Sequence, residues 1–575
     1  MKLRSLFCFT LVCALALLAS QCKTRSVSTT SASDIPHLRK QGTATQLIVD
    51  GKPFLVLAGE LNNNGATSVE YMKPKWSKLV EDKLNTVLAG VSWAQVEPQE
   101  GKFDFSVPDG IIQDARSHNL RLVLLWFASW KNGSSSYPPD WVKKDFERFP
   151  RAQIAEGKSI EVLSPFSDAS RDADARAFAA LMRHVKEVDG QQHTVITIQV
   201  ENEIGMPMDS RDRSPAANQA FQGPVPKELM DYLQAHKDNL IPDLRQVWEK
   251  AGFKTSGTWE QVFGKGVATD EIFMGWNFAR YVGRVVEAGK AEYPLPMYLN
   301  VWTYQFEPVE ASGAAMPPLF DVWRAGAPRI DMFSPDNAID FALMCAKYTQ
   351  SGNPLFSPEE SPGLEGAARV LYAFGRHDAI AYSRMSGGIE RAATPDNDLI
   401  GSYDLIAQLA PLIVEHQGNG TMSGVLLGPH DPPQKVRVGN YTLEASYLMP
   451  MGSGSGPSRF HPTEYPIRAG AIFIATGPDE FYAAGNGVTV KFSPNTPGPP
   501  LAAPATVEEG AFINGRWVPQ RRLAGDDALC SMDYTAPGLE GECVALRWPP
   551  GGVVGPHDAR AKGEDIQHFT LYRYR

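Results

Sequence analysis

The sequence predicts an α/β fold: a (β/α)8 TIM barrel over residues 45–417, followed by an antiparallel β-sandwich over residues 418–575. Two observations carry that expectation. Up to about residue 417, eight short apolar, β-rich runs alternate with segments of helical period, the pattern of parallel strands joined by crossover helices. Beyond residue 418 the runs become closely spaced and alternating, punctuated by NG, GN and PG turns, as in antiparallel sheets.

Before the barrel, residues 1–22 carry two cations, Lys2 and Arg4, then a mostly apolar stretch from Leu6 to Ala19. This is the pattern of a signal peptide for export. Ala19-Ser20-Gln21-Cys22 also resembles a lipoprotein cleavage site, so the expected location is periplasmic or outer-membrane-anchored in a bacterium, with membrane contact only through a lipid on Cys22. Residues 23–44, rich in Ser and Thr, read as a polar tether.

The eight barrel runs are FLVLAGE (54–60), TVLAGVSW (86–93), LRLVLLWF (120–127), TVITIQV (194–200), LPMYLNVW (295–302), RIDMFS (329–334), PLFSPE (354–359) and AIAYSRM (379–385). Phe178, Leu181, Met182 and Val185 repeat at helical spacing between the third and fourth. Leu405, Ile406, Leu409, Leu412 and Ile413 do so after the eighth. In the C-terminal part, KVRVGNYTLEASYL, GAIFIATG, GVTVKF, FINGRWV and HFTLYRYR read as strands. GSGSGPS (452–458) and PNTPGPPLAAPA (494–505) read as loops between them.

Composition narrows the partners. Lys plus Arg number 55 against 65 Asp plus Glu, a net charge of −10 with no long basic run, so nucleic acid is not an expected partner. Of the cysteines past the leader, Cys530 and Cys543 flank a short Pro/Gly loop and suit a disulfide, whereas Cys345 sits in an apolar run and reads as core. No Cys/His cluster has zinc spacing, so neither a metal nor another cofactor is expected, and oligomeric state is left open.

In such a barrel, function sits on the loops at the carboxyl ends of the strands. QVENEIG, residues 199–205, puts Glu201, Asn202 and Glu203 at the end of the fourth strand, and FSPEESPG, residues 356–363, puts Glu359 and Glu360 at the end of the seventh. Strict alternation sets Glu201 and Glu203 on one face and Asn202 on the other, unless the strand end curls. Strands four and seven face each other across a closed barrel, so Glu203 and Glu359 can flank a glycosidic bond. Its cleavage needs one carboxyl to protonate the leaving oxygen and an anion opposite the anomeric carbon. Trp93, Trp126, Trp130, Trp302 and Tyr304 lie at or just past strand ends, where an aromatic face could stack on a sugar. Core packing is the plainer role for each taken singly. Glu60 and Asn62 after strand one, with Asp336 and Asn337 after strand six, are candidates to bind hydroxyls or to cap turns.

These segments resemble glycoside hydrolase family 35, the β-galactosidases of the large retaining-barrel clan, over most of residues 45–390. QVENEIG is similar to its acid/base segment, and VSWAQVEPQEGKFDFS (91–106) to its stretch after strand two. FSPEESPG looks nearer to the nucleophile segment of the related family 42, and the whole chain resembles bacterial members with an extra C-terminal β domain. The resemblance implies Glu203 as acid/base, Asn202 on the sugar 2-hydroxyl and Glu359 as nucleophile, with Glu360 in reserve. Gly90 stands where many members have Tyr, and Ser129 where they have a Glu that holds a galactose hydroxyl. The implied activity is that of an exo-acting, retaining β-galactosidase on oligosaccharides, with plant-wall xyloglucan as one source. A β-glycosidase for arabinopyranosides or glucosides, and a noncatalytic sugar-binding surface protein, are the rivals.

Overall fold

A computed structural model describes residues 35–301, 311–385, 387–448, 468–523, 543–546 and 566–575. Eight parallel strands form the central sheet: β1 (Val56–Glu60), β2 (Thr86–Ser92), β3 (Arg121–Phe127), β4 (Val195–Val200), β5 (Met297–Val301), β6 (Met332–Pro335), β7 (Phe356–Glu360) and β8 (Ala381–Arg384). Each falls within a residue or two of a run read from the sequence. Their order is β6-β5-β4-β3-β2-β1-β8-β7, and β6 and β7 lie side by side, so the sheet curls into a ring. The runs are apolar nearly throughout because both faces are covered, by the barrel interior and by the helix layer.

The crossover helices are α1 (Trp76–Glu81), α2 (Ser106–Ser117), α3 (Asp168–Asp189), α4 (Val267–Glu292), α5 (Phe320–Gly326), α6 (Phe341–Thr349), α7 (Gly363–His377) and α8 (Asn397–His416). Phe178, Leu181, Met182 and Val185 of α3 are buried against the barrel, as their spacing predicts, and so are Leu405, Ile406, Leu409 and Ile413 of α8.

The two faces of each strand decide what can reach the mouth. Val56 and Ala58 of β1, Leu88 of β2, Val123, Leu125 and Phe127 of β3, Tyr298 of β5, Met332 of β6 and Phe356 of β7 fill the interior. Their neighbours Val87, Leu122, Leu124, Trp126, Leu299 and Val301 belong to the helix layer. Continuing the period of two past the last apolar layer, Glu60, Asn300 and Asp336 are the inward residues at the carboxyl end.

Two boundaries depart from the sequence reading. The chain assigned to the tether already forms a strand, His37–Gln41, paired antiparallel with Ala44–Val49. Leu47 and Val49 of that hairpin join the interior cluster, so it packs against the barrel's lining. A polar strand read as tether is ordered by a partner whose apolar side chains find a core. The second departure is in residues 494–505: the segment from Leu501 onward is strand, paired with Ile566–Tyr574.

The C-terminal unit has two antiparallel sheets, with one apolar core formed by Val425, Leu443, Phe473, Phe481, Phe492 and Phe569 among others. The six-stranded sheet turns its outer face onto the barrel. Met422, Leu426, Ile472 and Ile566 merge there with the cluster holding Leu371 and Phe374 of α7. Approach is close: a Cβ on Gly375 of α7 would lie 3.0 Å from the Gly424 backbone. Cys345 is buried and free, and Cys543 is disulfide-bonded, while Cys530 and the expected leader lie outside the described residues. Among the described residues no helix is long and apolar enough to cross a membrane.

Candidate active site

The strand β4 ends in a curl. Glu201 and Glu203 both take the left-handed region, with φ of 60° and 48°, a conformation costly for residues bearing a Cβ. Neighbouring groups hold it. The Asn202 backbone N–H donates to the Trp130 carbonyl at 3.3 Å, the Gly133 N–H to the Glu203 carbonyl at 3.2 Å, and the Gln199 amide to the Glu201 carbonyl at 3.0 Å. The Glu203 N–H donates to Asn300 Oδ1 at 3.1 Å. The curl breaks strict alternation, so Asn202 and Glu203 both reach the mouth.

One oxygen from each of Glu203, Asp336 and Glu359 lies within 4.8 Å of the other two. Carboxyls from strand ends four and seven thus meet across the barrel, with a third from strand end six beside them. Burial, the Glu359 charge and the weaker opposing pull of Lys131 leave the Glu203 carboxyl at about 8. Burial also raises Glu359, against the attraction of Lys131 and the Asn202 amide. Asp336 is driven well above the carboxylate range by burial and by Glu359, Glu203 and Glu60. Glu60 is fully buried, neither of its oxygens has a hydrogen-bond partner among the described residues, and it too is pushed well up by burial and by Glu359.

Lys131 offsets part of this charge. Its ammonium donates to Asn202 Oδ1 at 2.9 Å and sits 4.9 Å from the Phe127 ring centre. Asn300 is the hub: besides holding Glu203, its amide nitrogen donates to Asp336 at 3.0 Å and approaches Glu359 Oε1 at 3.4 Å. Neither residue was singled out from sequence. Asn300 could have been, since it continues the inward period of β5. The three clustered oxygens could offer ligands to a hard cation.

Several candidates are placed elsewhere. Trp126 faces the helix layer, because it alternates with the inward Leu125 and Phe127. Its indole N–H donates to Asp174 of α3 at 2.9 Å. Ser129 donates to Asp174 at 2.5 Å and lies 2.7 Å from the Tyr281 hydroxyl of α4. Glu201 accepts the Trp130 backbone N–H at 2.7 Å, and its carboxyl is raised by burial and by Asp174. Trp130 packs edge-on against Tyr281 and Phe278. These four form a sealed polar and aromatic cluster behind the mouth, out of contact with a sugar. Trp93 is also buried, donating to Glu97 at 2.9 Å. Asn62 is a turn residue: its backbone N–H donates to Glu390 and its amide to the Gly387 carbonyl. Asn337 accepts from Arg369 of α7 at 2.7 Å. Glu360, the reserve nucleophile, points toward the same Arg369 at 3.5 Å, because a register shift in β7 between Ser357 and Glu360 breaks the alternation that starts from the inward Phe356. Trp302 and Tyr304 lie outside the described residues. A Cβ on Gly90 would lie 2.7 Å from the Phe127 ring and 3.0 Å from the Asn63 carbonyl oxygen, so a larger side chain there would require the ring to move.

Residues 66–264 match the family model described as beta-galactosidase, that of glycoside hydrolase family 42. The match is to family 42 and not to family 35, which the sequence motifs resemble. It includes Glu203 and ends before Glu359. Residues 399–531 match a domain of unknown function, DUF5597. A beta-galactosidase of Xanthomonas manihotis is 30% identical over 177 residues, 30% of this chain and 27% of that protein, so the chain spans about a quarter of its length. Among solved structures, the beta-galactosidase of Bacillus circulans sp. alkalophilus aligns over 63% of this chain and 57% of its own, at 15% identity and a TM-score of 0.44. The beta-galactosidase of Halorubrum lacusprofundi aligns over 62% and 58%, at 15% identity and a TM-score of 0.43.

Proposed function

We propose that the protein is an exo-acting, retaining β-galactosidase that hydrolyses terminal β-galactosyl residues of oligosaccharides, exported by its leader to the periplasm or outer membrane. The observation that carries the chemistry is that one carboxyl oxygen of Glu203 lies within 4.8 Å of one of Glu359. Carboxyls about 5–5.5 Å apart serve double displacement, whereas inverting enzymes leave roughly 6.5–9.5 Å for a water. The choice of galactose is supported by the family match over residues 66–264.

In the first step a carboxylate oxygen of Glu359 bonds to the anomeric carbon as the bond to the leaving oxygen breaks. Glu203, protonated up to about pH 8, gives that oxygen its proton. In the second step Glu203, now anionic, takes a proton from water. The water oxygen bonds to the anomeric carbon and the ester to Glu359 breaks, restoring both carboxyls. Asn202 and Glu60 are the partners for sugar hydroxyls. Glu60 has two buried oxygens without donors among the described residues, and burying such groups is costly until a ligand supplies them.

The test is to expose the protein to a 2-deoxy-2-fluoro-β-galactoside with an activated leaving group and map the adduct by mass spectrometry. The expected adduct is on Glu359. Binding without an adduct would point to a sugar-binding protein, and an adduct only with the arabinoside or glucoside analogue would change the sugar.

A further inference from the structure

We infer that Lys131 is a positioning residue: it fixes the direction of the Asn202 amide, so that Asn202 meets the sugar's 2-hydroxyl as a hydrogen-bond donor and not as an acceptor. The inference rests on the reading of Glu203 and Glu359 as the reacting pair and names what orders the group beside them.

An ammonium has three donors and no acceptor, whereas an amide has one accepting and one donating end. Lys131 Nζ lies 2.9 Å from Asn202 Oδ1. An amide turned the other way would set its N–H groups against those of the ammonium, so the atom facing Lys131 must be the oxygen and Nδ2 is directed away from it. Asn202 is fully buried, and Nδ2 has no hydrogen-bond partner among the described residues. With Oδ1 committed, the side chain offers a ligand N–H groups alone, and only an accepting oxygen satisfies them.

Lys131 is itself held in place. It is 5% exposed, and its ammonium sits 4.9 Å from the centre of the inward Phe127 ring. Its backbone N–H donates to the Ser134 carbonyl at 2.8 Å, and the Ser134 N–H returns a bond to the Lys131 carbonyl at 3.0 Å. The same loop grips the curl of β4 on both sides of this contact. Trp130 accepts the Asn202 backbone N–H at 3.3 Å, and the Gly133 N–H donates to the Glu203 carbonyl at 3.2 Å. Backbone and side chain of Asn202 are therefore both set by residues 130 and 131.

Position selects the hydroxyl. Asn202 adjoins Glu203, which addresses the oxygen leaving the anomeric carbon, and the hydroxyl on the neighbouring ring carbon is that of C2. Hydrogen bonds to the 2-hydroxyl strengthen in the transition state of glycoside cleavage. A donor already held in one orientation gains that strengthening without first having to turn.

The experiment measures kcat and KM on a dinitrophenyl β-galactoside and on its 2-deoxy analogue for wild type, Lys131→Met, Asn202→Ala and the double variant, each checked by circular dichroism. Loss of the Lys131 charge acts on both substrates and cancels in the ratio of their kcat/KM values, whereas loss of amide orientation acts only where a 2-hydroxyl is present. Lys131→Met should lower that ratio, galactoside over 2-deoxygalactoside, by about tenfold or more, chiefly through kcat. The double variant should lower it no further than Asn202→Ala alone, since the two residues act through one contact. An unchanged ratio in Lys131→Met or in Asn202→Ala overturns the inference, and so does a double variant that loses more than Asn202→Ala, which would put Lys131 on the sugar itself. Should the Lys131 variants fail to fold, a crystal structure of the wild type in complex with galactose decides. O2 within hydrogen-bond distance of the Asn202 atom turned away from Lys131 is the expected result, and O2 on Lys131, or Asn202 out of contact with Lys131, overturns the inference. A wild type inert on both galactosides overturns the reading of the reacting pair, and this inference with it.

Discussion

The side-chain oxygen of Asn300 accepts the backbone N–H of Glu203 at 3.1 Å, at a residue whose φ of 48° puts it in the left-handed region. The same amide donates to Asp336, so one side chain on β5 fixes both the backbone at Glu203 and the carboxyl of Asp336.

Asn300→Ala should therefore cost activity and stability together. The substitution leaves a buried N–H and a buried carboxyl oxygen without a partner, at about 1–3 kcal/mol for each. We expect thermal unfolding at lower temperature and kcat on an aryl galactoside down by about tenfold to a hundredfold, since each 1.4 kcal/mol in the barrier is tenfold. Unchanged kcat with lowered stability would show that the curl of β4 holds without Asn300.

Lys131→Met tests the one described ammonium among the mouth carboxyls. Lys131 lowers the proton affinity of Glu359, so its removal should raise it. The acid limb of kcat/KM, which reports ionisation of the nucleophile, should move to higher pH, with activity at pH 6 falling by about tenfold or more. Steady-state rates from pH 4 to 9 read this directly, and a fixed acid limb would exclude Lys131 as the counter-charge.

Much of the site was legible because a parallel barrel makes position a matter of counting. Eight apolar runs fixed which chain segments end at the mouth, and the carboxylates after runs four and seven then had to converge. What failed was side-chain direction. Trp126 sits one residue from the inward Phe127, and that single step sends it to Asp174 instead of a sugar. Applying the period of two to each run would have excluded it and found Asn300. Neither left-handed residue in QVENEIG is a Gly, so nothing local announces the curl that separates Glu201 from Glu203. Glu360 was removed from the mouth by a register shift whose partner strand, β8, lies more than twenty residues later. Lys131, in a loop after β3, had no pattern to mark it.

The cluster behind the mouth should matter for folding. Asp174 accepts the Trp126 indole N–H and the Ser129 hydroxyl, both fully enclosed. Asp174→Leu would orphan these donors at about 1–3 kcal/mol each. Chemical denaturation should show that loss, whereas Asp174→Asn, which still offers one carbonyl oxygen, should fall between. Wild-type stability in the Leu variant would mean that the cluster tolerates an apolar replacement of the whole group.

The pH dependence of stability offers a check on Glu203 that needs no substrate. Its carboxyl sits at about 8 in the folded chain, against an ordinary value of 4.5. A group raised on folding contributes stability that is complete below its unfolded value and is lost as pH climbs through its folded one. Wild type should therefore melt at lower temperature at pH 9 than at pH 6. Glu360, also held near 8, contributes in the same sense. Glu203→Gln replaces an acid that must ionise in a buried site with an amide that never does. The variant should lose turnover yet be more stable than wild type at pH 9, by on the order of a few kcal/mol, with the difference shrinking toward pH 5. A gap independent of pH would mean that Glu203 is already ionised in the free protein, and so could not be the proton donor.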